Sequence, residues 1–529
     1  MKRKILLVLG LVLTLSACAT VPQTATSGLT FVHLNDTYRV GAVEDGNAGG
    51  FSRVVTVVRE LQSQGRDVRI LHGGDFLYPS LESQLWNGLQ MVDAFNFMDA
   101  VAPLYAVSGN HEFDRRGPEQ LIAAVEASQF DWLGDNYVFK TGNVSVDSAL
   151  KTAFTFESAD KTIGVFSLTL NPADGGNERS YLENDGDYQA VAERTIQTLE
   201  QKGVDLIIGV THLHMWQDVR LAELKARYPK LAFIVGGHEH EPEHSRGSAT
   251  SAVVMKGASN ARIIWAIDVD FDAAGNAEVR ERQIKLDESI ALDADYEVLA
   301  TKWRSRLLQT FPFLEARIGT AALPLDGREV TVRNEESNWG NFIADQMRGA
   351  FGERSDLAFI NGGTLRIDDF VDDDILFEDI GRTFGFSSFL RRTTMTGAEF
   401  RRVMEAGYRG HGPSKGYFPQ VSGFRICVDR SRNEGDRIVS LQLPAGDAWE
   451  EVVADKEYSV IVPDYLYGGG DGYKIPKDRP ATPPGSELKY LVLDGILRAQ
   501  ANGQLVGAPV DPANRRFHEL KEGKQPCFM

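Results

Sequence analysis

Five short apolar runs in the first half of this 529-residue chain each stop at residues that can ligate a metal. Leu29–Leu34 gives way to Asn35-Asp36-Thr37-Tyr38, Val68–Leu71 to His72-Gly73-Gly74-Asp75, and Leu104–Val107 to Ser108-Gly109-Asn110-His111-Glu112. Val204–Val210 runs into Thr211-His212, and Leu231–Val235 into Gly236-Gly237-His238-Glu239-His240. Runs of this length and composition read as buried strands. Helical patterns lie between them: in Phe51–Gln64, residues Phe51, Val54, Val55, Val58 and Leu61 share one face, and Pro118 opens a later helix in its first turn. Strand–helix alternation predicts a layered α/β domain, whose ligands gather at the carboxyl ends of the strands. One histidine alone reads as structural, and one Asp or Asn at a strand end as a turn former. Five such exits in succession read as a site. Asp, Asn and His without thiolates suit a hydrolytic divalent-metal centre.

Length predicts two or three domains. The net charge of −18 makes the body a poor binder of nucleic-acid polymers, while leaving room for a small anion in a local basic pocket. Three cysteines exclude a disulfide-built scaffold and a multi-cysteine zinc module. Lys2, Arg3 and Lys4 precede an apolar run, Ile5–Leu15, that falls short of the about 20 residues needed to span a bilayer. Residues 1–18 therefore read as an export signal and residues 19–28 as a flexible tether. Leu15-Ser16-Ala17-Cys18 resembles the bacterial lipobox. The resemblance implies cleavage before Cys18, its acylation, and, with Ala19 following, an outer-membrane location facing the periplasm or the cell surface. An ordinary secretory peptide is the alternative. Cys427, in an apolar strand-like run, is expected to be a buried free thiol rather than the partner of Cys527.

Residues 29–290 form the first expected domain, a polar-rich helix within 291–312 the linker, and 313–529 a second, α+β domain. There Ser337 is expected to cap a helix Asn338–Phe351, and Thr396 with Glu399 forms a capping box for a helix to about Tyr408. Strands are expected over Asp356–Ile360, Gln420–Val428, Arg437–Leu443 and Tyr458–Val462.

Gly109-Asn110-His111-Glu112-Phe113-Asp114 and the other strand exits resemble the calcineurin-like metallophosphoesterases, and among them the bacterial and animal 5′-nucleotidases. The resemblance implies a four-layer α/β/β/α domain followed by a nucleotidase C-terminal domain. It also implies two divalent ions, Zn, Mn, Co or Mg, with Asp75 bridging them. Asp36 and His240 would hold one; Asn110, His212 and His238 the other. His111 would stabilise or protonate phosphoryl oxygens, and Asp114 would orient it. Tyr38 departs from the pattern, because the family has a histidine ligand there. A protonated phenol ligates such ions poorly, so the departure implies iron, water at that position, or a weakened first metal, against ordinary occupancy of both. His214 is an alternative to His212; His33, His72 and His244 are expected to be structural or exposed.

In the second domain, Asn361-Gly362-Gly363-Thr364-Leu365-Arg366 is similar to the nucleotidase Asn-Gly-Gly-Gly-Ile-Arg run. Tyr465 to Tyr473 is similar to its Phe-Leu-x-x-Gly-Gly-Asp-Gly-Phe/Tyr loop, and Asn338-Trp339-Gly340-Asn341 to its helix start. By that resemblance Phe386 and Tyr465 sandwich a nucleobase, Asn361 bonds the base, Asp471 the ribose, and Arg333 and Arg366 the phosphate. Thr364 in place of glycine, and Phe384-Gly385-Phe386-Ser387 on the phosphate side, depart from the family. The implied activity is hydrolysis of nucleoside 5′-phosphates after closure about the linker helix. Alternatives are 2′,3′-cyclic nucleotides, NAD or UDP-sugar pyrophosphates, and a catalytically weak nucleotide-binding lipoprotein. A sulfur-oxidising dimetal hydrolase is disfavoured by the stacking pair.

Overall fold

The computed structural model describes residues 28–158, 160–172, 178–352, 356–410, 415–446, 448–512, 514–520 and 527–528; Cys18 and the leader lie outside them. The first domain holds two six-stranded sheets. In one, the strands run in the order Ala277–Lys285, Ile263–Phe271, Leu29–Leu34, Asp67–His72, Leu104–Val107 and Asp131–Leu133. In the other the order is Glu243–Ser245, Val253–Lys256, Leu231–Gly236, Leu206–His212, Lys161–Thr169 and Phe154–Ser158. The central strands are mostly apolar and buried because both faces are covered. Phe31, Leu71, Val107, Ile208, Phe233 and Ile267 interdigitate between the sheets. Helices Phe51–Ser63 and Leu89–Val101 cover the first sheet through Val54, Val58, Phe95 and Met98. Helices Tyr188–Gln201 and Met215–Ala222 cover the second through Ile196, Leu199 and Leu221. The result is a four-layer α/β/β/α domain.

Parallel register then fixes the site. Leu34 pairs with His72, Gly236 with Thr211 and Thr169 with His212, so the exits end at one edge. The strand Lys161–Thr169 and the hairpin Ile263–Phe271/Ala277–Lys285 were not among the expected strands.

Asp293 caps the helix Ala294–Thr310, accepting from the N–H groups of Asp295 and Tyr296. Its Tyr296 and Trp303 enter the first domain's core, so this helix is fastened to that domain. In the second domain a four-stranded sheet (Leu390–Thr396, Glu457–Pro463, Leu357–Asn361, Pro419–Ser422) separates two cores. One contains Trp339, Ile343, Ile360 and Val492; the other contains Phe359, Phe400, Val460 and Leu466. Ser337 caps the helix Asn338–Gly349, and Thr396 and Glu399 make their capping box at Gly397–Met404.

Two expectations are corrected. Gln420–Val428 is two strands, Pro419–Ser422 and Arg425–Val428, because Gly423 between them takes φ +86° and turns the chain. Cys427 is bonded to Cys527. The strand Phe517–Glu519 pairs parallel to Cys427's strand, placing His518 opposite Cys427, so the stretch of chain that precedes Cys527 is fastened beside it.

Candidate metal centre

Asp36, Asp75, His238 and His240 all adopt left-handed backbone, at φ 51°, 61°, 89° and 66°. Asp, Asn and His tolerate this region better than most residues, yet each instance costs roughly 1–3 kcal/mol. The turns aim their side chains back into the space between the strand ends. Two glycines permit the crowding. A Cβ at Gly109 would sit 2.1 Å from Asp75 Oδ1, and one at Gly237 would sit 2.3 Å from the Gly73 carbonyl.

Asp36, Asp75 and His212 present ligand atoms within 4.8 Å of one another. His212 Nδ1 donates to the Gly73 carbonyl at 2.6 Å, so Nε2 is the nitrogen left to face the cluster. That Nε2 lies 3.2 Å from Asp75 Oδ2 and 3.3 Å from Asn110 Oδ1. The oxygens crowd that nitrogen, and a metal ion or, in its absence, a proton on Nε2 relieves their repulsion. Burial opposes charge on His212, but Asp75 and Asp36 outweigh it and raise its pKa to about 9. The cavity thus demands positive charge. Burial keeps the neighbouring His238 well below its ordinary pKa, in the neutral form a ligand needs. Its ring lies 5.3 Å from that of His212.

On the other side of Asp75, His240 Nε2 is 3.3 Å from Asp36 Oδ1 and accepts from the Tyr38 hydroxyl at 3.0 Å. Tyr38 is therefore at the predicted ligand position, its hydroxyl also 3.4 Å from Asp36 Oδ1. Burial pushes its pKa well above the ordinary value. His111 Nε2 is 3.9 Å from Asp75 Oδ2, and its Nδ1 donates to Asp114 at 2.8 Å. Burial works against a charged His111, but Asp114 and Asp75 prevail and raise its pKa. All six predicted ligands, Tyr38 and the His111–Asp114 pair are thus in one place. His214 is instead half-exposed, with its ring 4.5 Å from that of His238. His33 and His72 are buried and hydrogen-bonded locally.

The second domain closes over this edge. Arg366 lies over the Tyr38 ring at 4.6 Å, and the Phe386 ring is 5.7 Å from that of His111. Arg333 is buried beside it. Arg333 Nε and Arg366 Nη2 are buried without a hydrogen-bond partner among the described residues. A buried donor in that state costs about 1–3 kcal/mol, which marks the space between the domains as one for an oxyanion. Beyond it, Asp471 accepts from Tyr465 at 2.9 Å and from Asn361 at 2.8 Å, while Thr364 donates to Asn361 at 2.6 Å. Phe386 packs on His111, whereas Tyr465 lies against Gly470.

Three acidic residues and one asparagine escaped the sequence reading. Glu112 accepts from the N–H groups of Asp75, Phe76 and Leu77 at 2.7–2.9 Å and of Gly109, tying two ligand loops together. Its place inside the Gly-Asn-His-Glu-Phe-Asp run was the available signal. Asp368 accepts from Ser259 and Asn260 at 3.1 and 3.0 Å and from Arg262 across the domain boundary. Asn260 also accepts from the Tyr38 N–H at 3.0 Å. Glu329 accepts from His240 Nδ1 at 2.6 Å. Nothing local in the sequence distinguishes Asp368 or Glu329 from a solvated charge.

Comparison with known proteins agrees with this architecture. The model for calcineurin-like phosphoesterases matches residues 29–242, and that for the 5′-nucleotidase C-terminal domain matches residues 317–478. A 5′-nucleotidase of Bos taurus is 24% identical over 520 residues, 89% of this chain and 88% of that protein. The Homo sapiens 5′-nucleotidase is 25% identical over 501 residues, 85% of this chain and 84% of that protein. Among solved structures, a 5′-nucleotidase precursor from Thermus thermophilus superposes with a TM-score of 0.79 at 22% identity, covering 94% of this chain and 100% of that one.

Proposed function

The chain belongs to the calcineurin-like phosphoesterases that carry a 5′-nucleotidase C-terminal domain, and from that premise we propose that it hydrolyses nucleoside 5′-phosphates to nucleoside and phosphate. One observation carries the reading. The Asp36–Asp75–His212 cluster of one domain faces two buried guanidinium groups of the other, each with an unpartnered nitrogen.

The donor set suits two divalent cations. Asp36 and His240, with Tyr38 alongside, would hold the first; Asn110, His212 and His238 the second; Asp75 would join both. Bound there, such ions supply Lewis-acid activation of water and of a phosphoryl oxygen. The chain's own residues do the rest. Arg333 and Arg366 grip the phosphate oxygens, using donors that are otherwise unspent. His111, its Nδ1 committed to Asp114, offers Nε2–H to a phosphoryl or leaving oxygen. Asp471, Asn361, Phe386 and Tyr465 receive the nucleoside, which must displace the hydrogen bonds Asp471 now makes. Burial of the cluster keeps bulk water from the reacting group.

The metals are Zn, Mn, Co or Mg in this reading, with the hydroxyl of Tyr38 kept as a hydrogen-bond donor. The chain is exported and anchored through Cys18, in the outer membrane; the leader and the Cys427–Cys527 bond, which needs an oxidising compartment, support this. A Cys18→Ser variant that stays in the membrane fraction overturns the anchor. Phosphate release by metal-replete protein from nucleoside monophosphates, 2′,3′-cyclic nucleotides, dinucleotides and nucleotide sugars tests the activity, with His111→Ala as control. Monophosphates are expected to lead. No release from any nucleotide overturns the reading.

A further inference from the structure

Glu329 stands where the machinery of the two domains meets. It opens the short helix Glu329–Val332 of the second domain and is 2% exposed. Its Oε2 accepts from His240 Nδ1 of the first domain at 2.6 Å. Its Oε1 accepts from Arg333 at 2.5 Å and lies 3.6 Å from Arg366 Nη1. Its own N–H donates to Asp368 Oδ1 at 2.9 Å, and the other oxygen of Asp368 is held by Ser259, Asn260 and Arg262 of the first domain. The carboxylate is therefore braced from both sides, with no freedom to turn away.

A neutral imidazole that donates from Nδ1 presents its lone pair at Nε2, and a carboxylate behind it raises its basicity as a ligand. For His240 that lone pair accepts from the Tyr38 hydroxyl at 3.0 Å, with Asp36 Oδ1 3.3 Å away, the place a cation would take. The backing carboxylate arrives only when the second domain is docked, and it brings the two arginines with it.

We propose that Glu329 is a positioning residue acting across the domain boundary: it fixes the tautomer and aim of His240, so that the cation beside Asp36 is held tightly only in the docked arrangement. This rests on the reading of His240 as a ligand. Linkage makes the effect reciprocal. A cation on His240 Nε2 favours docking, and docking brings Arg333 and Arg366 to the oxyanion space. Loading of the first metal and assembly of the phosphate grip are then one equilibrium.

The test is a metal titration without nucleotide. Full-length protein is stripped with chelator and titrated with Co2+, following the visible ligand-field bands and the number of equivalents bound. Wild type is expected to take two equivalents. Glu329→Ala is expected to weaken one of them about 10–100-fold and alter its band, leaving the other within about twofold. Glu329→Gln, which preserves shape and carries the test if the alanine variant does not fold, is expected to weaken the same equivalent. His240→Gln should weaken that equivalent too, and Glu329→Gln should then add little, because the two residues act as a pair. If Glu329 only neutralises the arginines, its replacement shifts KM for a nucleotide and leaves both equivalents untouched; that result overturns the proposal. Equal loss of both equivalents also overturns it. A chain that binds metal normally but releases no phosphate from any nucleotide would overturn the proposed function, and the titration would still be read.

Discussion

At the scale of single residues, the chemistry turns on His111 and on what replaces a histidine at position 38. His111 is held by Asp114 at 2.8 Å with its other nitrogen toward Asp75, so it can act on a phosphoryl oxygen without reorienting. His111→Ala is expected to lower kcat about 10²–10⁴-fold with metal content unchanged, measured by phosphate release and elemental analysis. Tyr38 sits at hydrogen-bond distance from His240 Nε2 and under Arg366. An imidazole there adds a neutral nitrogen donor where the phenol offers a proton. Tyr38→His is therefore expected to tighten the first metal in chelator competition, and weaker binding would show that the phenol itself ligates.

At the scale of elements, turns and cross-links matter more than the regular pieces they join. Glu112 satisfies backbone N–H groups of two separate strand exits. Glu112→Ala leaves these donors buried and unpaired, at about 1–3 kcal/mol each, so thermal melting and metal retention should fall together. The bond from Cys427 to Cys527 closes a span of 100 residues. Cys427→Ser is expected to cost about 2–4 kcal/mol, with wild type in reductant melting alongside the variant. The same scale explains what could be read from the sequence. Leu29–Leu34 and Leu104–Val107 were legible to the residue, because each is a fully buried, mostly apolar run that stops sharply at polar, ligand-type residues. The hairpin Ile263–Phe271/Ala277–Lys285 was not, since its outer strand alternates exposed charges that resemble a loop. The metal-bearing exits were legible because ligand types clustered beside glycines. Glu329 and Asp368 were not, because their meaning lies in partners dozens of residues away or more. Cys427 misled for the same reason: its apolar neighbours described its burial and said nothing of a strand arriving from the C-terminus.

For the whole molecule, the arrangement seen is the docked one. Gln84 donates to the Gly385 carbonyl at 2.9 Å, Arg304 to Glu378 at 2.7 Å, and His240 to Glu329 at 2.6 Å, all between domains. Asp36, Asp75, His212 and Arg333 are buried beneath these contacts, so a nucleotide cannot reach them unless the domains part. Since the helix Ala294–Thr310 is packed into the first domain, parting is expected to bend the segment that follows it, before the strand Arg317–Thr320. If parting limits turnover, kcat should fall in proportion to solvent viscosity, while the slower His111→Ala variant, limited by chemistry, should ignore it. A further consequence follows from the two guanidinium nitrogens left without partners. Docking without an anion strands them, so the empty molecule is pulled toward opening and any oxyanion that fills the space holds it shut. Inorganic phosphate fits that description as well as the substrate does. The enzyme should therefore be slowed by its own product, competitively, and surroundings rich in free phosphate would quieten it without any separate regulator.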